Sequence, residues 1–103
     1  MTSRTKGSVR IVGAGLLGTS IGLALSKLGV DVIVADQSPA VQSLAIDYGA
    51  GRAEKPDDQP SMIVVCVPPD VTAKVIAREI TAFPNAFITD VASVKSEILT
   101  ELK

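Results

Sequence analysis

The 103-residue sequence has no histidine, no tryptophan and a single cysteine, Cys66. One thiol cannot close a disulfide within the chain, and Cys66 lies inside an apolar run, which suits an inert side chain in a reducing, cytoplasmic setting. Without histidine or a second cysteine the usual transition-metal donors are missing, so no metal is expected. The aromatics are only Tyr48, Phe83 and Phe87, too few for a base-stacking platform. Charge of one sign never accumulates: ten basic residues stand against eleven acidic ones, for a net charge of −1, and no nucleic-acid partner is expected. The uncharged stretch from Ile11 to Ser26 follows Arg4, Lys6 and Arg10 in the manner of a secretory leader, but its four glycines make it a poor leader and a poor membrane span. No membrane partner is expected.

What is present is a core. At 47% apolar and 20% charged residues, the chain is composed like a folded domain. Residues 1–7 read as a polar lead-in and residues 8–103 as one domain, with no low-complexity tract.

The most informative stretch runs from Val9 to Gly22. A β-branched run, Val9-Arg10-Ile11-Val12, is followed at once by Gly13-Ala14-Gly15-Leu16-Leu17-Gly18 and then by a helical apolar pattern. Strand, tight turn and helix are the setting in which Gly-x-Gly-x-x-Gly binds a dinucleotide. Gly13 would turn the chain out of the strand, Gly15 would admit a pyrophosphate against bare backbone, and Gly18 would let the helix approach the sheet. The amides of Gly15, Leu16 and Leu17 would face the phosphates at the positive end of the helix. Without a ligand the same glycines would describe an ordinary strand-turn-helix junction.

A second strand, Val30 to Ala35, ends in Asp36, which lies 18 residues after Gly18 and 23 after Gly13. That is close to the spacing of about 20 expected for the acid that grips the adenosine ribose. A carboxylate there accepts from both ribose hydroxyls of NAD and repels the 2′-phosphate of NADP, and Gln37-Ser38-Pro39 supply no arginine to hold that phosphate. NAD is therefore the expected cofactor. Asp36 is also a possible helix cap, a role Ser38 serves equally well.

The remaining elements repeat one alternation. Leu17, Ile21, Leu25 and Leu28 mark the inward stripe of the first helix, and Gly29 ends it. Ser38 caps a second helix with Pro39 at its first position, a stripe of Val41, Leu44, Ala45 and Tyr48, and Gly49 as its stop. Residues 50–61 read as a surface loop. Ser61 to Val67 is a near-continuous apolar strand of the kind covered on both faces. Asp70 or Thr72 would cap a third helix that buries Val71, Val75, Ile76 and Ile80. Ala86 to Val91 is a fourth strand, and Ser93 to Leu102 a fourth helix with Ile98, Leu99 and Leu102 inward. Four βα units predict an α/β fold of Rossmann type: a parallel sheet in spatial order 3-2-1-4, with a ligand across the carboxyl ends at Gly13, Asp36, Val67 and Asp90-Val91.

Three separated pieces carry a more specific resemblance: Gly13 to Ile21, Val67-Pro68-Pro69-Asp70, and Thr89-Asp90-Val91-Ala92-Ser93-Val94-Lys95. With these the sequence resembles the N-terminal part of prephenate and arogenate dehydrogenases, over essentially all of residues 8–103. The resemblance implies oxidative decarboxylation in tyrosine biosynthesis: hydride passes to NAD(P)+ while carbon dioxide leaves and the substrate ring aromatises. It implies that Ser93 acts beside a histidine and the nicotinamide, that Gly13, Gly15 and Gly18 hold the pyrophosphate and Asp36 the ribose, and that Val67 and Pro68 lie against the cofactor. Ser93 also fits a plain helix cap. Lys95 is either a substrate-carboxylate contact or a solvated side chain, and Asp90 either orders the site or bonds to loop amides.

The family's catalytic histidine and its helical substrate and dimerisation domain lie in later segments. The chain is therefore expected to be a truncated fold that binds cofactor without turning over substrate alone. The full-length enzyme is expected to be a homodimer acting on a small molecule. The short chain is expected to self-associate through its fourth strand, which would be left as an apolar edge. Two other readings share the glycine motif: the cofactor domain of a 6-phosphogluconate or 3-hydroxyisobutyrate type of dehydrogenase, and a nucleotide-sensing regulatory module.

Overall fold

The β-branched runs form the strands of one parallel sheet in a computed structural model, which describes residues 7–91. The elements, in chain order, are β1 (Val9–Val12), α1 (Leu16–Lys27), β2 (Val32–Ala35), α2 (Pro39–Asp47), β3 (Arg52–Ala53), β4 (Met62–Val65), α3 (Pro69–Ala82) and β5 (Phe87–Asp90). The sheet order is β3-β2-β1-β4-β5, and every pair is parallel. Parallel neighbours cannot be joined by a tight hairpin, so crossovers are needed; helices α1, α2 and α3 supply those between β1 and β2, between β2 and β3, and between β4 and β5.

The expected α/β class and the order 3-2-1-4 both hold, extended by a fifth strand. What changes is which run fills each place. The third place belongs to the two-residue β3, inside the segment expected to be loop. The apolar run Met62–Val65 therefore lies in fourth place beside β1, and Phe87–Asp90 lies outside it. So short a strand leaves no periodic signal. Arg52 holds it: its guanidinium donates to both carboxylate oxygens of Asp31 and to both of Asp58, at 2.8–3.3 Å, tying the sheet edge to the following loop.

The core has two layers. Val9, Ile11, Val32, Val34 and Val64 pack with Ala14, Ala45 and Ala50, flanked by Ile21, Leu25 and Ile46 of α1 and α2. Val12, Ile63 and Val65 pack against Val75 of α3, flanked by Ile76, Phe83 and Ile88. Ile11, Ile33 and Ile63 are essentially sealed, and each such side chain contributes roughly 1.5–3 kcal/mol by leaving water.

The helices bury narrower faces than their apolar spacing suggests. In α1 the fully buried residues are Gly18 and Gly22, with Ile21 and Leu25 beside them, while Leu17 and Leu28 are exposed. The helix lies so close that a Cβ on Gly22 would come within 2.6 Å of the Ala50 carbonyl oxygen. Only Ala45 of α2 is fully buried, and Val41, Leu44 and Tyr48 are exposed. In α3 Val75 is buried as expected, but Ile80 is exposed and Glu79 is sealed at 2% exposure.

Glu79 is sealed because Arg10, in the middle of β1, reaches it. The Arg10 guanidinium donates to Glu79 at 2.7 and 3.3 Å and to Glu54 at 2.6 Å, and stands 5.1 Å from the centre of the Phe83 ring. Burial pulls Arg10 toward neutrality, and the two carboxylates more than reverse it, so its proton is held more tightly than in a free arginine.

The caps follow the sequence in part. Ser38 Oγ accepts from the Val41 amide at 3.3 Å, with Pro39 leading α2. Helix α3 begins earlier than expected, at Pro69 after Pro68, with no side-chain cap; Thr72 instead donates its hydroxyl back to the Pro68 carbonyl at 3.0 Å. Among the described residues no helix is long and apolar enough to cross a membrane. The predicted fourth helix, Ser93 to Leu102, and the lead-in before Gly7 lie outside the described residues.

Candidate cofactor site

The carboxyl ends of β1, β2, β4 and β5 bring Gly13, Asp36, Val67 and Asp90 to one edge of the sheet. The turn after β1 is built first. Gly13 has φ +100°, a conformation costly for any residue with a Cβ, and a Cβ there would stand 2.8 Å from the Cys66 carbonyl oxygen. Its N–H donates to the Ala35 carbonyl at 2.8 Å, and the Cys66 N–H donates to the Val12 carbonyl at 2.8 Å. Gly13 is thus the point where the ends of β1, β2 and β4 close on one another.

Gly18 has a different reason. A Cβ there would lie 2.0 Å from the Gly13 carbonyl oxygen, so α1 can start against its own turn only with hydrogen at that position. Gly15 has neither reason. Its φ of −73° is open to any residue, and a Cβ built on it meets nothing within 4 Å. Nothing in the described chain asks for glycine there, and the space in front of it is open. Gly15 is the N-cap of α1 and supplies no side-chain hydrogen bond, so the first-turn amides of Leu16, Leu17 and Gly18 have neither a cap nor a preceding helical carbonyl. No acidic residue stands in that first turn, and Leu16 is 89% exposed at its rim. The arrangement can hold an anion against backbone amides at the positive end of a helix.

Asp36 stands one strand over, half-buried. Its Oδ2 accepts from the Ala14 amide at 2.7 Å and its Oδ1 from the Ser38 amide at 2.8 Å. Ser38, not Asp36, caps α2 through its side chain. Val67 lies against the turn, its Cγ1 3.1 Å from where a Cβ on Gly13 would be, and exposed Pro68 caps α3. Asp90 is half-buried at the end of β5, level with Val65 of β4. Ser93 and Lys95 lie outside the described residues. Burial pushes the Cys66 thiol up to about 11, so it is a poor nucleophile at neutral pH.

Three contributors to this edge escape sequence reasoning: the Ala14 amide, the Cys66 carbonyl and the Thr19 hydroxyl, which donates to the Ala14 carbonyl at 3.0 Å. The first two are backbone groups, which no residue type announces. Thr19 lies just past the last glycine, where its side chain reads as helix surface.

Comparison with known proteins identifies the family. The family described as "Prephenate dehydrogenase, nucleotide-binding domain" matches residues 21–103. A probable prephenate dehydrogenase of Streptomyces niveus, NovF, is 46% identical over 92 residues, 89% of this chain. The chain spans only 25% of that relative's length. Among solved structures, Synechocystis arogenate dehydrogenase has a TM-score of 0.72 at 22% identity, over 81% of this chain and 32% of its own. Prephenate dehydrogenase from A. aeolicus, solved with hydroxyphenyl propionate and NAD+, has a TM-score of 0.70 at 24% identity, over 86% of this chain and 34% of its own. An imine reductase from Pseudomonas sp. follows at 0.60 and 21%, over 84% of this chain and 32% of its own. At those identities the structural likenesses speak for the fold, while the family match covers most of the chain directly. The chain belongs to the prephenate dehydrogenase family and corresponds to its nucleotide-binding domain.

Proposed function

We propose that this chain is the NAD-binding part of a prephenate or arogenate dehydrogenase, an enzyme of tyrosine biosynthesis that decarboxylates its small-molecule substrate oxidatively. The observation that carries the reading is the contrast among the three glycines. Gly13 and Gly18 are demanded by the chain's own packing, whereas Gly15 faces open space, as a position reserved for a ligand's phosphates does. Bound NAD+ would supply the hydride acceptor. Gly13, Gly15 and Gly18 shape the phosphate cradle, and the amides of Gly15, Leu16 and Leu17 face it. Asp36 takes the adenosine ribose and favours NAD over NADP, because its carboxylate stands where a 2′-phosphate would bring more negative charge. Val67 and Pro68 flank the cofactor, Asp90 orders the end of β5, and Ser93 assists a histidine supplied by the longer enzyme.

In this reading substrate turnover and homodimerisation belong to the longer protein, and the single cysteine fits a cytoplasmic setting. By itself the chain would meet a second copy at β5, one of the two edge strands among the described residues, where Phe87 is exposed. A clean monomer in sedimentation at high concentration would remove that last point.

Calorimetric titration of the chain with NAD+, NADP+ and ATP tests the function. NAD+ should bind with the highest affinity. Preference for NADP+ would overturn the role given to Asp36, and preference for ATP would indicate a nucleotide sensor. Absence of NAD+ binding would sink the reading.

A further inference from the structure

The carboxylate of Asp36 is already engaged before any ligand arrives. Its Oδ2 holds the Ala14 amide at 2.7 Å and its Oδ1 the Ser38 amide at 2.8 Å, so one side chain joins the turn after β1 to the start of α2. Ala14 sits between two glycines, one at φ +100° and the other facing open space, so the backbone on either side has little of its own to stiffen it. What fixes the turn is its hydrogen bonds. The Gly13 amide goes to the Ala35 carbonyl at 2.8 Å, the Ala14 carbonyl accepts from Thr19 Oγ1 at 3.0 Å, and the Ala14 amide goes to Asp36. Of these, the bond to the carboxylate is the charge-assisted one.

We propose that Asp36 is a positioning residue for the phosphate-binding turn, strapping the Ala14 backbone to β2, so that ribose choice and phosphate affinity are coupled through one carboxylate. Its consequence for ligands rests on the dinucleotide reading above; the strap itself is a property of the unliganded chain. Each carboxylate oxygen has two lone-pair sites, and the backbone takes one on each. The second site on each oxygen stays available for one of two vicinal hydroxyls, so a ribose can be held without releasing the turn. A 2′-phosphorylated ribose repels the carboxylate, and any swing away from that phosphate breaks the bond to Ala14. Discrimination then has two parts: repulsion at the sugar and slackening of the turn that holds the phosphates.

The test compares Asp36→Asn with Asp36→Ala in the full 103-residue chain. Both variants are neutral, so any difference between them is not due to charge near the phosphates, and only asparagine keeps an oxygen that can accept from Ala14. Amide hydrogen exchange of Ala14 is read first, without ligand. Asp36→Ala should speed that exchange at least about tenfold, the factor that corresponds to 1.4 kcal/mol, and Asp36→Asn should fall between it and the parent. Amides of β1 and α3 exchanging as in the parent report that both variants are folded. If Asp36→Ala does not fold, the comparison of parent with Asp36→Asn carries the test. Inorganic pyrophosphate, which has no ribose, is the second probe, and it should bind the asparagine variant several-fold more tightly than the alanine variant. Equal Ala14 exchange in all the proteins overturns the strap. Equal pyrophosphate affinity in the two variants, or binding to none of the proteins, overturns its coupling to the phosphates. If the parent fails to bind NAD+ while Ala14 exchange responds as expected, the dinucleotide reading fails and the strap stands.

Discussion

Gly15→Ala and Gly18→Ala add the same methyl group three positions apart and should have opposite effects. At Gly18 the new carbon would be 2.0 Å from the Gly13 carbonyl oxygen, where ordinary contact begins at 3.4 Å, so α1 would have to retreat by about 1.4 Å. The helix start and the turn are both held by hydrogen bonds, and overpacking of this kind costs typically 1–3 kcal/mol. In a domain of this size each kcal/mol lowers Tm by roughly 4–8 °C. At Gly15 the new carbon meets nothing. A less flexible unfolded chain would add about 0.4–1 kcal/mol of stability, and the poorer N-cap would take back a similar amount, so the net change stays within about 1 kcal/mol. The methyl group would, however, fill the space in which backbone meets the phosphates, and NAD+ affinity should fall at least about tenfold. Urea unfolding measures the first quantity and titration calorimetry the second. Gly15→Ala losing as much stability as Gly18→Ala, or binding NAD+ within about twofold of the parent, would refute the division of labour among the glycines.

Glu79→Ala leaves the buried Arg10 without its main partner and should cost about 3 kcal/mol, the lower end of the range for a broken buried pair because Glu54 remains. Replacing both partners, as Arg10→Met with Glu79→Leu, should recover most of that loss in urea unfolding, and a double variant as unstable as the single one would contradict the pairing. The Cys66 thiol, raised to about 11 by burial, should be ionised to only about one part in a thousand at pH 8, so alkylation should be slow in the native protein and become rapid on unfolding. Equal rates in both states would show that the thiol is not buried. Asp58 is held below the usual carboxylate range by hydrogen bonds from Arg52, with burial opposing them. Its stabilising effect is therefore present above the unfolded pKa of about 3.9 and disappears as pH falls through the lower folded value. Asp58→Asn should lose up to about 1 kcal/mol at pH 7, and the gap from the parent should close as pH falls through that lowered folded value; a gap independent of pH would exclude the ion pair as its cause.

Much of the candidate site was legible because the residue types proposed to carry its chemistry stand at close spacing. Gly13, Gly15 and Gly18 stand within one turn and a helix start, and Asp36 follows at the end of the next apolar run, so strand, turn and acid are all visible locally. Asp36 nevertheless has partners no spacing could reveal, since the Ala14 and Ser38 amides are identical to every other amide until the chain folds. The helix faces were misjudged for a related reason. Apolar periodicity finds large side chains, whereas α1 approaches the sheet through Gly18 and Gly22, which leaves Leu17 and Leu28 outside. Strand β3 escaped because two residues make no pattern, and a long-range fork from Arg52 holds them in place. Arg10 and Glu79 escaped because each contradicts its local context, a cation in a central parallel strand and a carboxylate on a buried helix face, and they make sense only as a pair.

The central claim is that the open bend before α1 receives the phosphates of NAD+ while Asp36 receives its ribose. The most direct measurement is the change in backbone amide chemical shifts as NAD+ is added to the uniformly labelled chain. The largest changes should fall on Gly13 to Gly18 and on Asp36 to Ser38, with saturation in step with calorimetric binding. Saturable binding that leaves those amides unmoved and shifts others instead would contradict the claim.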